Sequence, residues 1–124
     1  MRKPKTLPKL KAEAQIHFNR FIRKRDEGLP CISSGKYVEC QAGHFFPTST
    51  HDGLRFDEDN CHGESAYSNC FDESHLIGYG RNLVKRIGQE RYDALVKRAA
   101  EYKRNGYKFS RSELEAIIEK YKYL

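Results

Sequence analysis

Between residues 31 and 70 the chain gathers the side-chain types from which hydrolytic and metal chemistry is built. His44 follows Ala42-Gly43 at the end of an apolar stretch. Arg55-Phe56 leads into the polar run Asp57, Glu58, Asp59, Asn60, Cys61, His62, and Ser65-Ala66-Tyr67-Ser68-Asn69 closes the segment. A neutral imidazole can take a proton from water, and carboxylate or amide oxygens suit a hard divalent cation. Hydrolysis of a phosphodiester needs both: a base to activate water, and a cation to stabilise charge on the phosphate and on the leaving oxygen. Cysteines at 31, 40, 61 and 70 are interleaved with the same residues.

The elements that must position these groups follow from periodicity. Residues 9–26 read as a basic helix, with Ala14, Phe18, Phe21 and Ile22 at helical spacing and Gly28 and Pro30 beyond its end. Apolar stretches from Tyr37 to Phe46 and from Leu54 to Phe56, separated by Pro47, Ser49 and Gly53, predict a β-hairpin with a loop of about seven residues. With that loop at 47–53, Phe46 faces Arg55, His44 faces Asp57 and Cys40 faces Cys61, all on one side of the ribbon. Asp57 would then orient His44 or join a metal shell. A helical segment is expected from about Glu64, and the helical period returns from Leu76 to Ile87. It pauses at Gly88, resumes through Tyr92, Leu95, Val96 and Ala99, and stops at Asn105-Gly106. Ser110 with Glu113 predicts a capping box before Leu114, Ile117, Ile118 and Tyr121.

Composition bounds the function classes. The chain has 124 residues, a net charge of +6 and 32% charged residues, so one domain with a thin core is expected. The longest apolar runs are a few residues, which disfavours membrane insertion, and no apolar signal core follows the basic start. Charge is unevenly placed: residues 26–80 carry a net −8, between flanks of +8 (1–25) and +6 (81–108). That layout suggests basic arms on phosphates and an acidic centre holding cations. Solvated helix faces partitioned by chance would give the same sums.

The order of these motifs, a Cys-Ile-Ser-Ser-Gly turn at 31–35, Ala42-Gly43-His44-Phe45, Arg55 to His62, and Ser65 to Asn69, resembles the HNH or ββα-metal nuclease core built on a treble clef. More closely, it is similar to the NinG (Rap) family of phage recombination endonucleases acting on branched DNA. Phe18 to Arg23, Arg25-Asp26 and Leu83 to Gly88 match that family too, so the resemblance covers about residues 9–122. It implies an α+β protein with a basic helix at 9–26, an HNH-like ββα core at 31–72 and a helical arm at 75–122. By resemblance, His44 is the general base, Asn60 pins the loop and orients that base, and Asn69 with Asp57 or His62 holds Mg²⁺ or Mn²⁺. Arg20, Arg23, Arg25, Arg55, Lys85 and Arg86 are candidate phosphate contacts. The Asp that often precedes the catalytic histidine in HNH enzymes is here Gly43, as it tends to be in the phage family. The partners implied are branched DNA and a second copy of the chain, docked through the apolar faces of the terminal helices, in the cytoplasm of an infected bacterium.

The treble-clef zinc usually takes two Cys-x-x-Cys pairs. Here Cys31 stands with Ser34, and Ser65 with Ser68, so three of the four expected thiolates are hydroxyls, which disfavours a structural zinc at that place. Thiol packing, or disulfides 31–70 and 40–61, would replace it as a clasp. Four reduced thiols and a relocated four-cysteine metal site are the alternatives. Two other function classes stand beside the nuclease: a DNA-binding protein that kept the fold and lost catalysis, and a secreted, disulfide-stabilised basic protein, which the missing signal core opposes.

Overall fold

The computed structural model describes residues 3–71 and 74–124, so residue 72, the expected end of the core, lies outside the described residues. The protein is α+β: among the described residues, five α-helices surround one two-stranded antiparallel sheet. Helix α1 (Leu7–Arg25) starts at Thr6, whose hydroxyl accepts from the Lys9 amide, and carries Pro8 where a missing N–H costs nothing. It buries Leu10, Ala14, Phe18 and Ile22, a stripe at four-residue spacing. Helix α5 (Arg111–Lys122) opens with the capping box of Ser110 and Glu113 and buries Leu114 and Tyr121 against α1. The Phe18 ring meets Tyr121 edge-on at 5.1 Å and Phe56 at 5.8 Å. The terminal helices thus pack their buried apolar stripes against each other.

Strands β1 (Cys40–His44) and β2 (Cys61–Ser65) pair with Gly43 opposite His62 and His44 opposite Cys61. This corrects the expected register: His44 does not face Asp57, and Cys40 faces Ser65 rather than Cys61. The loop between the strands spans residues 45–60 instead of about seven. Its apolar residues, which read as a strand, are anchors. Leu54 ends a short 3-10 turn (Asp52–Leu54) and is fully buried with Ile32, Tyr79, Leu83 and Leu95, while Phe56 packs between α1 and α5. Glu64 belongs to β2, and the helix expected there, α2 (Ala66–Phe71), starts two residues later.

Helices α3 (His75–Ile87) and α4 (Gln89–Asn105) are separated by Gly88, whose φ of +89° lets the chain turn without a Cβ penalty. They complete the second core cluster with Tyr79, Leu83, Ile87, Leu95 and Ala99. The basic flanks do not project as free arms. Lys11 pairs with Asp52, Arg98 with Asp57, Arg91 with Asp59, and Lys120 with Glu58, so the flanks neutralise the acidic loop. Part of the charge layout in the sequence is internal stitching.

Candidate active site

His44 ends β1 half-buried, with its ring Nε2 2.9 Å from the carbonyl oxygen of Arg55. A carbonyl only accepts, so Nε2 carries the proton and Nδ1 keeps a free lone pair. Burial, with the nearby Arg55 charge, pushes the imidazole below its usual pKa, and the carbonyl hydrogen bond offsets this in part. A neutral imidazole with one nitrogen anchored has the state a general base requires.

Asn60, fully buried just before β2, explains why the Arg55 carbonyl is in place. Its Oδ1 accepts from the Phe46 amide at 2.9 Å, and its Nδ2 donates to the carbonyls of Phe46 at 3.0 Å and Leu54 at 3.3 Å. One side chain thus ties the start of the long loop to the residue before Arg55.

A cavity of about 260 Å³ opens beside His44, lined also by Ala42, Phe45, Pro47, Thr48, Asn69, His75 and Leu76. The structure therefore brings Asn69 to His44. It also adds His75, which no sequence motif marked, and behind it Glu64, which looked like a helix start. The Glu64 carboxylate is wholly buried, with Oε2 2.8 Å from His75 Nδ1. Among the described residues no group of three or more His, Cys, Asp or Glu side chains is set to hold a metal.

The other two expected metal ligands lie elsewhere. Asp57 gives both carboxylate oxygens to the Arg98 guanidinium, at 2.9 and 3.2 Å, and caps the Asp59 amide. His62 is 2% exposed, its Nδ1 3.4 Å from the Tyr79 hydroxyl, and burial with the neighbouring Arg25 charge pushes its pKa down to about 3. In the unfolded chain it regains the ordinary value near 6.5. The unfolded state then binds a proton that the folded state refuses, so stability falls as pH drops below that value. The melting temperature is expected to fall between pH 7 and 4, less steeply in His62→Gln. Equal slopes would show that His62 is not responsible.

Of the basic residues, Arg23 and Lys85 are exposed with no partner among the described residues. Arg20 donates to the last carbonyls of α5, at Tyr121 and Lys122. Arg25 clamps Asp26 and the carbonyls of Glu58 and Cys61, Arg55 binds Asp52 and Gln15, and Arg86 binds the Pro30 carbonyl. These four already serve the fold.

At the place of the missing zinc, the Cys31 sulfur accepts from the Ser65 amide at 3.2 Å and lies 3.4 Å from the Ser33 hydroxyl and 4.0 Å from that of Ser68. Burial opposes ionisation of this thiol, but the hydrogen bonds from Ser33, Ser34 and the Ser65 amide outweigh it and lower its pKa to about 6. All four cysteines are free thiols, Cys31 and Cys61 buried and Cys70 exposed, so neither expected disulfide is formed. The 40–61 pairing fails because the true register sets those residues four positions out of step. Titration of denatured protein without reductant is expected to return four thiols per chain, and two or none would contradict the structure.

The chain is thus an α+β protein in which a hairpin, its pinned loop and the helices that follow hold one imidazole-and-amide pocket. It belongs to the NinG family of bacteriophage proteins: the family described as "Bacteriophage Lambda NinG protein" matches residues 1–124. Among its relatives, Protein ninG of Escherichia phage 933W is 39% identical over 111 residues, covering 88% of this chain and 53% of that protein. Protein ninG of Escherichia phage lambda is 37% identical, and that of Salmonella phage P22 36%, each over 88% of this chain and 52% of its own length. The chain therefore spans about half the length of the curated relatives it matches. No solved structure matches. No helix among the described residues is long and apolar enough to cross a membrane.

Proposed function

We propose that this protein is a divalent-metal-dependent DNA endonuclease of phage recombination with an HNH-like ββα core, acting on Holliday junctions or other branched DNA in the cytoplasm of the infected host. The observation that carries the reading is the His44 clamp. An imidazole at the end of the first strand is anchored through Nε2 to the Arg55 carbonyl, in a loop that a buried asparagine ties down at the preceding residue, and lines a pocket together with a helix asparagine. His44 Nδ1 takes the proton of the attacking water. A Mg²⁺ or Mn²⁺ ion, when bound, would stabilise charge on the phosphate and leaving oxygen. Asn69 is the ligand from the expected set that lines the pocket; neither Asp57, paired with Arg98, nor His62, buried on Tyr79, is among the lining residues. Exposed Arg23 and Lys85 are the basic residues best free to meet phosphates. Paired cuts on a junction would need a second copy, meeting through a surface other than the α1–α5 seam.

The test is cleavage of a labelled four-way junction and a linear duplex with Mg²⁺, Mn²⁺ or EDTA. Incision of the junction in either cation and none in EDTA is expected. The second reading is a branched-DNA-binding protein that has lost catalysis, favoured by the lack of a three-residue His, Cys, Asp or Glu metal cluster among the described residues. Junction binding without incision in any divalent ion would establish it and remove the nuclease.

A further inference from the structure

We infer that His75, held from behind by the buried carboxylate of Glu64, is a cation-binding imidazole of the His44 pocket. The inference deepens the nuclease reading and rests on it only for the use made of the cation.

Glu64 is on β2, fully buried, beside a strand residue with no side chain. A Cβ added to Gly43 would sit 2.5 Å from Glu64 Oε1 and 2.9 Å from Glu64 Cβ. The Glu64 side chain therefore fills the space that a residue 43 side chain would take, immediately before His44. This gives Gly43 a physical reason: any larger residue there would displace Glu64.

A buried carboxylate is costly unless positive charge or hydrogen bonds compensate it. Oε2 has the His75 ring, but Oε1 is buried with no hydrogen-bond partner in the structure. That single contact leaves the second oxygen unpaired, and a cation on the far side of the same ring would add positive charge beside the carboxylate. The geometry suits this. Donation of Nδ1–H to the carboxylate fixes the tautomer and leaves the Nε2 lone pair for the pocket that His75 shares with Asn69 and His44. Carboxylate, imidazole and cation in series is the usual way a protein orients a metal-binding histidine. The amide oxygen of Asn69 suits Mn²⁺, the imidazole adds a nitrogen donor that can be read spectroscopically, and a site with few protein donors leaves room for water and phosphate oxygens. An ion pair that merely fastens the first turn of α3 would use the same Glu64–His75 contact but would bind no metal.

Mn²⁺ titration of the full chain, followed by pulsed EPR for nitrogen coupling to the bound ion, separates the two. Wild type is expected to bind Mn²⁺ with histidine nitrogen coupling. His75→Gln, which keeps an amide against Glu64, should lose that coupling and bind at least tenfold more weakly. Glu64→Gln should weaken binding about 10- to 100-fold, and His44→Ala should leave the coupling in place. On wild type itself, where folding of a variant is not at issue, trace Mn²⁺ should broaden the His75 ring ¹⁵N resonances first. Unchanged coupling in His75→Gln, broadening led by another histidine, or no nitrogen-coupled Mn²⁺ in wild type would overturn the inference. The two readings fail separately. Loss of coupling in His75→Gln with no junction cutting by wild type removes the nuclease and keeps the site, whereas Mn²⁺-dependent cutting with coupling intact in His75→Gln does the reverse.

Discussion

Asn60→Ala is expected to lower the stability of the folded chain by roughly 3 kcal/mol, because an unsatisfied buried polar group costs about 1–3 kcal/mol and the change orphans several at once. The Phe46 amide and carbonyl and the Leu54 carbonyl lose their partner together. Asn60→Asp is expected to be no better. Its carboxylate could still accept from the Phe46 amide, but it would turn an anionic oxygen toward two carbonyls where an NH₂ now donates. Equilibrium urea unfolding of the three proteins measures this, and a loss under about 1 kcal/mol for Asn60→Ala would mean that the loop is held by its apolar anchors instead. The same substitution frees the segment that carries the Arg55 carbonyl, so catalysis should fall in Asn60→Ala even at temperatures where the chain is folded.

His44→Ala is expected to reduce the rate of junction incision by about 10²–10⁴-fold, the range for loss of a positioned general base, with little change in melting temperature or junction affinity. The wild-type pH profile carries a second signature. A base works only when unprotonated, and burial holds His44 below the ordinary histidine value, so the acid limb of the profile should lie below pH 6.5. Activity present at neutral pH is lost only as pH falls through that depressed value. A limb above the ordinary histidine value, or one that persists in His44→Ala, would assign the limb to another group.

Much of the helical framework was legible in the sequence because burial alone sets its period. The stripe Ala14, Phe18, Ile22, the break at Gly88 and the capping box at Ser110 each report a local rule that the tertiary structure does not override. The hairpin was misread for a physical reason. Leu54 and Phe56 are apolar because they plug two core clusters from a loop, and nothing in a short apolar run distinguishes a plug from a strand. That one error moved the register by four residues, set Asp57 against His44 and Cys40 against Cys61, and hid Glu64 inside an expected helix. Asn60 bonds both Phe46 and Leu54 across the long loop, a contact that no local pattern around it announces. His75 carried no local signal: its place beside His44 depends on where α3 lands on the hairpin. Gly43, opposite His62 in the ladder, marks a close approach by the Glu64 side chain that could have located Glu64.

Charge teaches a similar lesson. The alternation of basic, acidic and basic segments was read as grips for DNA and a cation centre, yet Asp52, Asp57, Glu58 and Asp59 are matched inside the molecule by Lys11, Arg98, Lys120 and Arg91. Of the six candidate phosphate contacts, Arg23 and Lys85 are the two that the fold does not use. If the proposed nuclease meets phosphates there, substituting those two should weaken binding of a four-way junction without lowering the melting temperature.

Whether His44 is the base of a metal-dependent nuclease is decided by single-turnover incision of a labelled four-way junction in Mn²⁺, with wild type and His44→Ala each at DNA-saturating concentration. The account predicts incision by wild type that EDTA abolishes, and a variant that occupies the junction equally but cuts it at least about a hundredfold more slowly. Equal cutting by the two proteins, or a wild type that binds the junction and leaves it intact with every divalent ion, would contradict it.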